Sequence, residues 1–101
     1  SELLYDIVPN SIVKQTHQLT VTGVPRQPNP GDFVFGTWIT TNPRTQQVYH
    51  HGRWHRLVAV EATGNPNEYR LTLDRPWQAP DQGALANRMM FPRGVISVFD
   101  L

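Results

Sequence analysis

The sequence has no cysteine. That excludes disulfides and thiolate metal sites, and leaves the redox compartment unspecified. Lysine is nearly absent as well, with Lys14 its single instance, so the positive charge is carried almost entirely by arginine. Arginine suits planar, bidentate and stacked contacts, which favours packed ion pairs and protein interfaces over a diffuse basic patch. Net charge is +1, too small for a field that steers the chain to nucleic acid or an anionic membrane. No apolar run reaches membrane-spanning length, and the first residues lack the basic, apolar and small-residue regions of a signal peptide. The expectation is a soluble protein made in the cytoplasm, with no membrane partner.

Catalytic patterns are also missing. Ser1, Ser11 and Ser97 sit in no Gly-x-Ser-x-Gly elbow, and there is no thiol nucleophile. The carboxylates are scattered, without the close pair that glycoside hydrolysis needs. Gly31 to Gly36 has the wrong spacing for a phosphate loop and no helix to follow it. The chain reads as a non-enzyme that needs no cofactor.

What is present is strand. With nine prolines and few helix-favouring runs among 101 residues, the composition points away from an all-α fold and toward one domain with a modest core. The densest signal is a hairpin, Arg53 to Glu61 and Glu68 to Trp77. Trp54, Val58 and Val60 share one parity of its first strand; Tyr69, Leu71 and Leu73 share one parity of its second. These six are the expected core. Ala62 to Asn67 supplies the turn chemistry, and Pro76 ends the return strand because it has no N–H for a further rung.

Elsewhere, Ile12 to Thr22 alternates as a half-buried strand, with His17 on its partly apolar side. Gly23 to Gly31 is a proline-stiffened connection. Asp32 to Thr41 is an aromatic-rich strand in which Gly36 marks a bulge or a close backbone approach. Gln46 to His50 reads as a short return strand. Gln78 to Asn87 is a long loop, with or without one helical turn, Arg88 to Phe91 an extended segment, and Val95 to Phe99 a final strand. The expected fold is all-β, an antiparallel barrel or sandwich of about six strands, a barrel being preferred because closure removes edges. Residues 1–11, with Leu3, Leu4, Tyr5, Ile7 and Val8 before Pro9, are expected as an N-terminal arm to a single domain spanning residues 12–101.

Two constellations stand out. His50, His51 and His55 lie close in sequence, and Asp74 or Glu61 could complete a donor set, but the spacing matches no established zinc signature. The histidines are therefore expected as polar residues at the hairpin's entrance or as a binding face. Trp38, Trp54, Trp77, Tyr49 and Tyr69, interleaved with Arg53, Arg56, Arg70 and Arg75, could form a stacking platform for sugars or single-stranded bases. The alternative is tryptophan as core and arginine paired with Glu61, Glu68 or Asp74. Arg56, at the parity of Trp54 and Val58, is either stacked on an aromatic and paired or marks the parity that faces a partner.

The phrase Gly52-Arg-Trp-His-Arg-Leu-Val-Ala-Val-Glu61, a turn, then Tyr69-Arg-Leu-Thr-Leu-Asp-Arg-Pro-Trp77 resembles the hairpin of small β-barrel modules in bacteriophage virion proteins and some large bacterial surface proteins. It covers about a quarter of the chain and is a structural phrase, so no binding residue carries over with it. The resemblance implies a virion component such as a capsid decoration, tail or baseplate subunit. Its partners would be other virion proteins and further copies of the chain, a trimer being favoured. The expected contact residues are Leu3, Leu4, Tyr5, Arg56, Met89, Met90 and Phe91. A carbohydrate-binding module using an exposed tryptophan is the second reading. An OB-like or SH3-like nucleic-acid binder is the third, disfavoured by the low net charge.

Overall fold

The computed structural model describes residues 2–23, 27–79 and 87–92, with side chains from Tyr5 onward in the first segment and of Met89 in the last. Within them the fold is all-β. Strands β1 (Glu2–Ile7), β2 (Gln18–Gly23), β3 (Phe33–Thr41), β4 (Val48–Ala62), β5 (Glu68–Leu73) and β6 (Asn87–Pro92) close into an antiparallel barrel in the order β1-β2-β5-β4-β3-β6. Strands β3, β4 and β5 follow one another as hairpins, and β6 returns to lie beside β3, which is a Greek key. No helix among the described residues is long and apolar enough to cross a membrane.

Period-two alternation builds the core. Leu19 and Val21 of β2, Val34 of β3, Leu57 of β4 and Leu71 and Leu73 of β5 point inward and are buried, together with Trp77 and Ala79 just after β5. Val60 and Tyr69 pack at the margin of this cluster.

The expected N-terminal arm is instead a barrel strand. β1 pairs with β2 on one side and with β6 on the other, and Tyr5 and Ile7 are each 1% exposed. Without β1 the edges of β2 and β6 would remain open, so this segment is what closes the barrel. Tyr5 and Met89 are therefore core residues and offer no surface to a partner. Leu3, Leu4, Met90 and Phe91 lie on the backbones of β1 and β6, but their side chains are outside the described set.

The strand expected over Ile12 to Thr22 begins only at Gln18. Lys14–Thr16 forms a 3-10 turn, His17 takes a left-handed backbone (φ 61°), and Val13 bonds back to Gln18 in both directions. The reversal at His17 breaks the alternation and leaves Val13 exposed.

Gln46 to His50 and Arg53 to Glu61 are not separate strands, since β4 runs unbroken through Gly52 from Val48 to Ala62. A register shift between Leu57 and Ala59 makes a bulge. Before it the odd residues His55 and Leu57 face in; after it Val60 does. Trp54 and Val58 consequently face out, at 36% and 59% exposure, and are not core. The β4–β5 hairpin itself forms as expected, closing at Glu61↔Arg70 and Ala62↔Tyr69. The strand expected at Val95 to Phe99, residues 80–86 of the loop and residues 24–26 of the proline-rich connection lie outside the described residues.

Candidate functional site

The β3–β4 ribbon is longer than the barrel wall that holds it. Among the described residues, β6 pairs with β3 as far as Trp38, and β5 pairs with β4 from Leu57. Among the described residues, β3 beyond Trp38 and β4 before Arg53 therefore pair only with each other. Its turn is locally encoded: Asn42 Oδ1 accepts from the Arg44 and Thr45 amides, Gln46 sits at φ 63°, and the Asn42 amide bonds the Gln47 carbonyl at 2.8 Å.

The inner face of the ribbon is an aromatic ladder. Cross-strand register sets Trp38 opposite His51, and the two rings stack at 5.2 Å and 12°. Thr40 Oγ1 lies 2.8 Å from His51 Nε2. Trp38 meets Trp77 edge-on at 5.7 Å, and Trp77 in turn stacks on His55 at 5.9 Å.

Trp77 reaches this position because the chain leaves β5 at Leu73 and folds across β4. The Asp74 amide bonds the Arg56 carbonyl, Asp74 Oδ1 accepts from His55 Nδ1 at 3.3 Å, and Arg75 donates to the Trp54 carbonyl at 2.6 Å. His55 is 2% exposed, and its pKa lies below the ordinary imidazole value chiefly because burial disfavours the charged form; the attraction of Asp74 opposes this only in part. The neutral ring thus carries its proton on Nδ1, toward Asp74. Neither His55 Nε2 nor Trp77 Nε1 has a hydrogen-bond partner among the described residues.

The outer face is an exposed apolar stripe. Phe35 packs on Trp54 at 5.1 Å and covers Gly52, and the Arg56 guanidinium sits over the Phe33 ring at 5.1 Å. Val48, Trp54 and Val58 are among the large apolar side chains left exposed, and all three stand on this face. Arg56 thus meets both expectations raised by its parity: it is stacked on an aromatic, and it lies on the outward face.

Charge separates the ribbon from the rest of the chain. From Phe33 to Val60 there are three arginines and no carboxylate, so the remainder holds six Lys and Arg against eight Asp and Glu. That feature is legible in the sequence but gains meaning only once β3 and β4 lie side by side.

The three clustered histidines do not converge. His50 faces out, His51 lies on Trp38 and His55 is buried against Asp74 and Trp77. Among the described residues no group of three His, Asp or Glu side chains is placed to hold a metal. Nor do the tryptophans share one surface: Trp77 is core, Trp38 half-buried, and Trp54 exposed on the opposite face of the ribbon.

No family model, curated protein or solved structure matches this chain.

Proposed function

We propose that this chain is a non-enzymatic assembly subunit of a bacteriophage or virus-like particle, a capsid decoration, tail or baseplate component that works by protein–protein contact. The observation that carries the reading is the outer face of the β3–β4 ribbon, which presents Val48, Trp54 and Val58 to solvent beside stacked Phe33, Phe35 and Arg56. Exposed aromatics, aliphatics and arginine are the composition of an interface core. A closed barrel with one long ribbon is also a suitable shape, because the barrel stays rigid while the ribbon reaches a neighbour. The virion part of the reading rests on the hairpin phrase Gly52 to Trp77.

The non-enzymatic part is supported by the use to which the ionisable groups are put. His55 is engaged by Asp74 and Trp77 in the barrel interior. The surface cleft of 270 Å³ between β2, β5 and β4 is lined by Glu61 and Arg70, which bond each other at 2.7 Å.

Assembly into a closed ring, a trimer in the simplest case, follows if the ribbon of one copy meets the body of the next. The test is sedimentation analysis of the chain alone, together with antibody detection of the chain in purified particles from its source. An oligomer, or the chain as a fixed component of the particle, is the expected result. A monomer at micromolar concentration that is absent from every particle fraction would overturn it.

A further inference from the structure

Barrel closure removes strand edges, yet among the described residues β4 keeps one. The register fixes which way its backbone points. The Asn42 amide bonds Gln47, and the Leu57 amide bonds Asp32, so the odd residues of β4 exchange hydrogen bonds with β3. The even residues therefore direct N–H and C=O to the other side. At Arg56 and Trp54 those carbonyls are met by the Asp74 amide and the Arg75 guanidinium. At Val48, His50 and Gly52 no strand among the described residues meets them, because β5 has already ended at Leu73. Among the described residues this leaves an edge ~17 Å long that no strand covers.

Natural edges are usually blunted by lysine, proline, a bulge or an inward charge. Val48 to Trp54 contains no lysine or proline, the bulge comes only after Leu57, and the one inward charge is the half-buried Arg53. We propose that this edge docks an extended strand of another polypeptide whose carboxylates alternate with apolar side chains.

Three features select that chemistry. A row of outward N–H and C=O groups is complemented by another peptide backbone, which nucleic acid does not supply. Arg53 and His51 stand on the inner face of the edge and Arg56 and His50 on the outer, and the ribbon contributes no carboxylate. The carboxylate that follows β5, Asp74, is engaged with His55. On the outer face, Val48 and the Phe35–Trp54 pair offer apolar contact to alternate side chains of the incoming strand. A second copy's β4 edge is the wrong partner, since it would set arginines and histidines against the same residues with no carboxylate between them.

The inference deepens the assembly reading and rests on it in one respect, that the ribbon docks on protein. Its test is a fluorescein-labelled peptide of alternating glutamate and valine, added to the isotopically labelled chain. Binding should slow hydrogen exchange at the His50 and Gly52 amides at least about tenfold, and a lysine–valine peptide should leave both unchanged. His50→Pro deletes an outward N–H without touching the β3 ladder and should abolish binding. Equal binding of the lysine peptide would overturn the inference. So would protection by oligothymidylate, protection that rises with the concentration of the chain alone, or protection already present in the dilute free chain. If particle association survives while the peptide result fails, the assembly reading stands and the edge site falls. The converse pattern separates them the other way.

Discussion

Gly36 and Trp77 occupy one space: a Cβ on residue 36 would collide with the Trp77 ring at Cζ3. The backbone of β3 can pass under the indole only because position 36 has no side chain. The indole cannot withdraw easily, since Trp38 meets it edge-on and His55 stacks on it. Gly36→Ala should therefore destabilise the barrel by about 1–3 kcal/mol, the usual range for overpacking a tight core. In a Trp77→Leu background the same substitution should cost under about 1 kcal/mol, because the clash is gone. Urea denaturation of the four proteins closes the cycle; an undiminished cost in the second background would show that Trp77 is not what Gly36 accommodates.

His55 makes stability depend on pH in one direction. Burial depresses its folded pKa below the unfolded value of 6.5. The unfolded chain thus takes up the proton first as pH falls, so unfolding is favoured progressively through that window. The contribution is fully present above pH 6.5 and declines toward the depressed folded value. Urea midpoints should accordingly be flat above pH 7 and fall between 6.5 and about 5, before most carboxylates titrate. His55→Gln should flatten that segment, because the group whose folded pKa is depressed is then gone. A midpoint that rises on acidification would mean that Asp74, not burial, dominates the imidazole.

How much of this was legible in the sequence depends on whether alternation survives without interruption. It does in β5, where Tyr69, Leu71 and Leu73 share the inward parity, and Gly36 is readable as a bulge or a close approach. It does not in β4 as a whole. Trp54, Val58 and Val60 share a parity, and nothing in the periodicity records the one-residue slip between Leu57 and Ala59. The shared parity thereby sets Trp54 inside, whereas in the structure Trp54 is exposed and its neighbour His55 is buried. β1 was obscured for a different reason: Leu4 and Val8 interrupt the inward set of Tyr5 and Ile7, and only the open edges of β2 and β6 decide the matter. Of the site, Arg56 is legible from its parity, whereas the edge of β4 that no described strand covers depends on where β5 stops.

Adjacent residues on either side of the bulge test its placement. Leu57 is 2% exposed and Val58 59%. Leu57→Ala should cost about 2–5 kcal/mol, from lost burial and an unfilled cavity. Val58→Ala should change stability by no more than about 0.5 kcal/mol. Comparable losses at both positions would place the inward face of β4 elsewhere. The measurement is the denaturation midpoint at constant slope, which separates stability from a change in the unfolded state.

The outer stripe of the ribbon can be broken without touching the barrel. Val48 and Val58 both stand on that face, exposed, one toward the tip and one beside the bulge. Val48→Glu and Val58→Glu insert carboxylates into an apolar contact surface, and in solvent neither buries a charge in the free chain. Thermal midpoints should stay within a few degrees of the parent, because substitutions at exposed positions seldom exceed about 0.5 kcal/mol. Association with copies or particle proteins should instead weaken at least about tenfold for each, since a desolvated carboxylate facing an apolar partner is not compensated. Sedimentation velocity reads the first and co-sedimentation with particles the second. Intact association in both variants would move the docking surface off this face, whatever the barrel's stability.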